Sequence, residues 1–215
     1  MYANRFVETD LEVKNRLWQV LCHEFFNRFV GERDTVVDIG AGYCEFVNHI
    51  RCQTRIAIDL NPDVKKFAAP GVIVIHESCM AMHSLSSDSV DVVFMSNFLE
   101  HLLSKQQVFE TLQEAKRILR PEGRLLILQP NIRFLPNNYW DFFDHHTPLS
   151  DRSLVEVLQV LGMQIVHNYP RFLPYTTKSQ LPKGPWFVKW YLRLPWLWSL
   201  FGKQAFIVAK KGGEQ

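Results

Sequence analysis

Residues Val36 to Glu45, VVDIGAGYCE, decide how the rest of the chain is read. A β-branched apolar run (Val36, Val37, Ile39) carries one acid, Asp38, and breaks into Gly40-Ala41-Gly42. Short apolar runs bounded by glycine fit a strand buried on both faces of a parallel sheet. The glycines permit a tight turn with close backbone approach, and a helix is expected from about Cys44. Strand, glycine turn and helix together form a cradle for a nucleoside cofactor.

Working outward, further apolar runs predict strands at Arg55–Ile58, Val72–Ile75, Val90–Met95, Arg124–Gln129, Met163–His167 and Ala205–Ala209. Helices are signalled between them. Thr9-Asp10-Leu11-Glu12 matches a capping box, followed by an apolar stripe at Val13, Leu17, Val20, Leu21, Phe25 and Phe29 that Gly31 ends. Asn61-Pro62 reads as an N-cap with proline at the first helical position. Ser104-Lys105-Gln106-Gln107 is a second capping box, with Val108, Leu112, Ala115 and Leu119 behind it, and Pro121-Glu122-Gly123 turns the chain into the fifth strand. Ser153 to Glu156 caps a helix ending at Gly162. This alternation predicts a doubly wound, mostly parallel α/β sheet with helices on both faces. Ligands of such sheets sit beyond the carboxyl ends of the strands, where this chain places Asp38, Asp59, Ser96-Asn97 and Gln129-Pro130-Asn131.

At 215 residues the chain suits one domain with an appendage, and 21% charged against 47% hydrophobic residues marks it as folded rather than disordered. A net charge of +2 gives no reason to expect a nucleic-acid partner. Four cysteines without metal or CxxC spacing read as reduced thiols, and the opening MYANRFVETDLEV lacks the apolar core of a signal peptide, so a cytoplasmic protein is expected.

A dinucleotide fingerprint needs a third glycine and a free helix N-terminus for pyrophosphate. Counting from Gly40 puts Glu45 in that third place, where a carboxylate repels phosphate, so an NAD-dependent oxidoreductase is disfavoured. Asp59, about twenty residues beyond the turn, is placed to accept ribose hydroxyls. Between Thr35 and Asn131 the pattern resembles the class I S-adenosylmethionine-dependent methyltransferases. VVDIGAGYCEF is similar to their first motif, IAIDLNP to the ribose motif, SVDVVFMSNFLEHL to the fourth, and EAKRILRPEGRLLILQPN to the helix and fifth strand that follow.

The resemblance implies a Rossmann-like domain over residues 1–215, its seven-stranded sheet ending in an antiparallel last strand. Residues 1–34 form an N-terminal helical cap, 35–169 the cofactor-binding core, 170–203 an aromatic and basic insertion or lid, and 204–211 the last strand. The resemblance also implies S-adenosyl-L-methionine as cofactor, with Asp38, Gly40 and Gly42 facing its methionine part, Asp59 the ribose and Ser96-Asn97 the sulfonium. Ala41, Tyr43, Leu60, Cys79, Met80 and His101 complete the expected cofactor-binding set. Two positions depart from the family pattern: Cys44 replaces a turn glycine, and Cys79 stands where an aspartate often reads adenine, with Glu77 or Ser78 as neighbours that could replace it. A non-catalytic cofactor-binding protein is the rival reading.

Methyl transfer to a hydroxyl profits from a general base, worth about a hundredfold or more. NIRFLPNNYWDFFDHHTPLS, after the fifth strand, supplies Tyr139, Asp141, Asp144, His145 and His146. His145 or His146 is the expected base, partnered by Asp144 or Asp141, with Tyr139 in the same catalytic loop. His101 reads as structural or cofactor-lining. The acids and histidines of this loop are too bunched for usual metal spacings, so no metal is expected. The acceptor is read as a small molecule or sugar, methylated on oxygen. Four tryptophans (Trp186, Trp190, Trp196, Trp198) with Lys183, Lys189, Arg193 and Lys203 suit a peripheral membrane contact through 183–203, a lid over a lipid-linked acceptor, or a homodimer contact.

Overall fold

Seven strands form one sheet in the computed structural model, which describes residues 8–175 and 184–213. They are β1 (Thr35–Ile39), β2 (Thr54–Ile58), β3 (Val72–Ile75), β4 (Val90–Ser96), β5 (Leu119–Pro130), β6 (Met163–Tyr169) and β7 (Gln204–Lys211). Their order is β3-β2-β1-β4-β5-β7-β6. Strands β1 to β5 pair in parallel, and β7 enters antiparallel between β5 and β6. The chain steps outward from β1 through β2 to β3, then returns to lay β4 on the other side of β1. That reversal opens a crevice at the carboxyl ends of β1 and β4.

Alternation along the strands divides the core in two. Val37, Ile39, Val93, Met95, Leu125 and Ile127 face one side, packing with Leu112 and Ala115 of α3 (Lys105–Ile118) and Leu154 and Leu158 of α4 (Asp151–Val160). Val36, Val92, Phe94, Leu126 and Leu128 face the other. There they meet α1 (Glu8–Glu24), α5 (Pro185–Arg193) and α6 (Pro195–Phe201) through Leu21, Phe25, Tyr191 and Trp198. Glu24 of α1 is paired with Lys189 (2.9 Å) and Arg193 (3.5 Å) of α5, fastening the C-terminal helices to the N-terminal one.

Several local expectations are corrected. Helix α1 already includes Glu8, so Thr9 lies inside it rather than capping it. Its buried face is Trp18, Leu21 and Cys22, with Phe25 buried just beyond its end, while Val13 is exposed. The helix stops at Glu24, and a short 3-10 turn, Phe26–Phe29, precedes Gly31. No regular helix follows the glycine turn: residues 42–49 form turns, with Cys44 in the left-handed region (φ 58). Asn48 ties this segment to the four-residue α2 (Val64–Phe67), donating to Phe67 O and accepting from Ala69 N–H. Asn61 is not the cap and Pro62 not the first helical residue: the N-cap of α2 is Asp63, whose amide Asn61 Oδ1 accepts (3.0 Å) in the turn that leads into the helix. Pro121-Glu122-Gly123 lies within β5 at a register shift against β4. Ser150 caps α4, in a box with Ser153 at the third helical position, so Ser153 is not the cap. Ser104 caps α3 as predicted, while Gln107 reaches back to the Leu103 amide. The first seven residues of the N-terminal stretch, and Lys183, lie outside the described residues.

Candidate functional site

The end of β1 carries Asp38, 4% exposed. Burial pushes its carboxyl well above the usual carboxylate range, the charges of Glu45 and Asp59 push the same way, and the Val47 amide opposes them. Gly40 and Ala41 amides both donate to Ile58 O (2.9 and 3.3 Å), folding the turn over the end of β2. Gly40 has φ +71, and the Phe98 ring occupies the place of its missing side chain: a Cβ there would lie 2.2 Å from Cδ2. Gly42 (φ +51) donates its amide to Asp59 Oδ2 at 2.9 Å, and the Asn61 amide donates to Oδ1 at 2.8 Å. Turn and acid, 17 positions apart, are thereby joined. Each Asp59 oxygen is oriented by one amide and keeps a lone pair for a further donor.

The other predicted cofactor residues divide. Leu60 is 62% exposed beside Asp59, at a cleft of about 130 Å³ lined by Asp59, Asn61, Pro62, Lys65, Val74 and His76. The Tyr43 ring packs on Phe67 (4.8 Å) with Lys14 Nζ above it (5.4 Å). Ala41 turns its side chain into the packing of Cys44, Val47, Ala57 and Val64, so only its backbone faces the turn. Cys79 points inward, its thiol accepting from Thr111 Oγ1 (3.3 Å), and Met80 packs against the same core. Glu77, the neighbour that could replace Cys79, is committed to the Ser84 hydroxyl and amide. At the end of β4, Asn97 (φ 47) donates to Ser96 Oγ, and its buried Oδ1 has no hydrogen-bond partner among the described residues.

The acceptor loop is stitched to β4's end. His146 and Thr147 amides donate to Glu100 O (2.8 and 3.1 Å), and Thr147 Oγ1 donates to Leu102 O. Tyr139 is fully buried with its hydroxyl donating to Thr147 O (2.6 Å), and burial pushes its ionisation well up. That geometry makes Tyr139 a fastener of the loop, which departs from the catalytic role expected of it. His145 is buried, stacked on Phe142 (5.0 Å), with Tyr139 at 4.9 Å and His101 at 5.2 Å between ring centroids. His146 is exposed. Asp144 addresses His101: its carbonyl is 2.9 Å and its carboxylate 3.4 Å from His101 Nδ1. Asp141 is exposed and accepts from Asn138.

Sequence reasoning passed over Glu100. It is 1% exposed, burial pushes its carboxyl up against the pull of His101, and Gln129 Nε2 donates to its Oε2 (2.9 Å). The available signal was an acid between Leu99 and His101 immediately beyond an apolar strand, opposite a glutamine at a strand end. Glu100, His101 and His145 each offer a ligand atom, all within 4.8 Å of one another, where the sequence led us to expect no metal. Asn131, also polar at a strand end, is structural: it donates to Asp151 Oδ1 and Pro170 O.

Residues 37–127 match the family described as Methyltransferase domain. No curated protein matches the chain. Among solved structures, a SAM-dependent methyltransferase from Archaeoglobus fulgidus is 22% identical, covering 95% of this chain and 100% of that one, with a TM-score of 0.67. A Haloferax volcanii methyltransferase solved with the Trm112 methyltransferase activator is 17% identical over 96% of this chain and 94% of that chain, TM-score 0.71. A Thermotoga maritima protein described as a possible histamine N-methyltransferase is 17% identical over 95% and 94%, TM-score 0.63. At these identities the structural likeness establishes the fold.

Proposed function

We propose that the chain, whose residues 37–127 match a methyltransferase domain, is a class I S-adenosylmethionine-dependent methyltransferase whose acceptor is a small hydroxylated molecule or sugar, methylated on oxygen. The cofactor supplies an electrophilic methyl carbon on a sulfonium. The crevice suits it: Asp59 holds two oriented oxygens for a ribose diol, and the buried Asn97 Oδ1 offers an unused acceptor at the neighbouring strand end. Gly40 lets the backbone approach closely, and Gly42 keeps Asp59 in register.

The acceptor hydroxyl is assigned to the His101–His145 end of the crevice. The carrying observation is that Asp144 fixes His101 through Nδ1, which turns Nε2 toward Glu100 and His145. With the cofactor bound, its methyl carbon would face the acceptor oxygen, and this histidine pair would take the hydroxyl proton. Holding oxygen, carbon and sulfur in line supplies most of the rate. The test is demethylated-cofactor formation with a panel of small hydroxylated, sugar and lipid-linked sugar acceptors. His101→Ala and His145→Ala are each expected to lose about a hundredfold or more in turnover. Both should bind the demethylated cofactor as the parent does, and unimpaired turnover in both variants sinks the assignment. Loss in His145→Ala should exceed that in His146→Ala, because His145 alone of the two is buried.

A lipid-carried acceptor is the finer form of this proposal. Trp186, Trp190, Trp196, Leu200 and Phe201 are exposed on α5 and α6, while Tyr191 and Trp198 anchor those helices inward. Tyr175, upstream of them, touches Phe142 of the acceptor loop (5.7 Å). Exposed tryptophans beside Arg193 and Lys203 suit the interfacial zone of a bilayer, and no described helix is long and apolar enough to cross one. Cosedimentation with anionic liposomes, lost in Trp186→Ser/Trp190→Ser, supports the reading. Failure to sediment, or a dimer that covers the tryptophans in solution, opposes it. The cytoplasmic face of a membrane is the location this implies, consistent with four free cysteines.

A further inference from the structure

We propose that Glu100, His101 and His145 bind one divalent first-row transition cation at the acceptor end of the crevice. The proposal rests on the acceptor site being there, and it adds an ion to it.

The donor set comes from two segments. Glu100 and His101 follow β4, and His145 arrives from the loop after β5, stitched to Glu100 O by its neighbours' amides. One ligand atom from each lies within 4.8 Å of the others, and His101 Nε2 stands 4.0 Å from Glu100 Oε1. Ligands at about 2.1 Å around one tetrahedral ion are roughly 3.4 Å apart, so closure by at most about 1.4 Å completes the site.

The supporting shell is already in place. A ligating histidine typically gives its second ring nitrogen to a carboxylate or carbonyl, which fixes its tautomer. His101 Nδ1 meets both, at Asp144 O and Asp144 Oδ2, leaving Nε2 for the ion. Glu100 Oε2 is held by Gln129 Nε2, leaving Oε1. Phe142 and Tyr139 pin the His145 ring from two sides. Gln129, 1% exposed, keeps a buried Oε1 without a hydrogen-bond partner among the described residues, a second polar atom at the cluster that a cation or its water would satisfy. A carboxylate buried to 1% exposure is costly unless paired, and a cation pairs it.

Two imidazoles and one carboxylate select Zn²⁺, Mn²⁺, Fe²⁺ or Co²⁺ over Mg²⁺ or Ca²⁺, which take oxygen ligands. Three protein ligands leave an open position. An acceptor hydroxyl bound there loses its proton to water more readily, as a Lewis acid lowers the pKa of a bound oxygen. With the ion bound, the histidines serve as its ligands and water, in place of the histidine pair, takes the acceptor proton; their loss still costs turnover, through loss of the ion.

The test uses the full chain, stripped with chelator and titrated with Co²⁺ alone, read by visible absorption and calorimetry. One equivalent is expected, with a ligand-field spectrum of low coordination number. Affinity should fall about 10- to 100-fold in Gln129→Ala, which removes a supporting contact. It should fall further in Glu100→Gln and His145→Ala, and be unchanged in His23→Ala, a surface histidine outside the cluster. The parent's melting temperature should rise with Co²⁺, and folded Glu100→Gln should not share the rise. Absence of stoichiometric binding overturns the proposal, as does binding that Glu100→Gln and His145→Ala leave intact. Neither acceptor nor cofactor enters these measurements, so their failure is separable from a failure of the methyl-transfer assay.

Discussion

Gly40→Ala tests how closely the first turn is packed against the end of β4. Two costs add at this position. The left-handed backbone (φ +71) costs a residue with a Cβ about 1–2 kcal/mol. The new Cβ would also meet Phe98 Cδ2, Cγ and Cε2 at 2.2, 2.5 and 2.9 Å, so the ring must move. Forcing a methyl into a filled site costs about 1–3 kcal/mol, giving about 2–5 kcal/mol together. For a chain of this size that is a drop of about 4–20 °C in melting temperature. Gly42→Ala is the internal control: it shares the left-handed backbone (φ +51), yet its nearest atom would be Gly40 O at 3.9 Å, so about 1–2 kcal/mol is expected. Urea unfolding of both variants, repeated in a Phe98→Ala background, separates the two costs. In that background Gly40→Ala should become as mild as Gly42→Ala, a coupling of about 1–3 kcal/mol. Because Phe98 adjoins Asn97, the single variant should also bind cofactor more weakly. Equal costs for the two glycines, or a Gly40 cost indifferent to Phe98, would refute the reasoning.

Asp59→Asn replaces one amide-accepting oxygen by a donor that faces a backbone N–H, and should weaken binding of the demethylated cofactor at least about tenfold by calorimetry. Tyr139→Phe removes the bond to Thr147 O and should cost about 1–2 kcal/mol in urea unfolding, with turnover at low temperature changed only a few-fold; a hundredfold loss would return Tyr139 to the chemistry. Ser150→Ala should cost about 1 kcal/mol, because Ser150 and not Ser153 is the cap of α4. Glu114 is held below the usual carboxylate range first by its hydrogen bonds to Arg117, so its contribution is present above its unfolded pKa and lost as pH falls through its lowered folded one. The stability gap between the parent and Glu114→Gln should accordingly shrink below about pH 4.

The strands were legible because β-branched runs with glycine or polar ends admit little else in a sheet covered on both faces. Ser104 was legible for the same local reason. Ser150 and Ser153 were not separable by pattern: either serine begins a plausible box, and packing against the sheet decides which backbone amide is left unpaired. The face of α1 was misjudged because the helix carries apolar residues on more than one stripe, and Trp18 and Cys22 win the buried side from Val13. At the site, Asp38, Gly42 and Asp59 converge as their positions in the βαβ pattern imply. The histidine assignment depended on adjacency, and adjacency misled. Asp144 beside His145 suggested a pair, but neighbours in a loop point in different directions. The histidine Asp144 meets comes from a residue 43 positions away. Glu100 went unread because burial, which gives it meaning, is not visible in one acid among apolar neighbours.

Exclusion of a pyrophosphate-bearing cofactor also has a different physical basis from the one expected. The sequence rests it on Glu45, yet Glu45 is paired with Lys14 at 2.7 Å, which offsets much of that charge toward a ligand. What excludes phosphate is the turn's own hydrogen bonding. Gly40 and Ala41 amides are given to Ile58 O, Gly42 to Asp59 and Cys44 to Ala41 O, so four of the five amides from Gly40 to Cys44 are already donated within the protein. The residues that follow form turns and not a regular helix, so the aligned dipoles that favour an anion at a helix N-terminus are missing there. Asp38 and Asp59 complete a rim of carboxyl groups. A nucleoside carrying a cation in place of a phosphate fits this rim, and Glu45→Gln should therefore leave the turn just as closed to NADH. If Glu45→Gln admitted NADH in a calorimetric titration, charge at position 45 and not amide saturation would be what guards the turn.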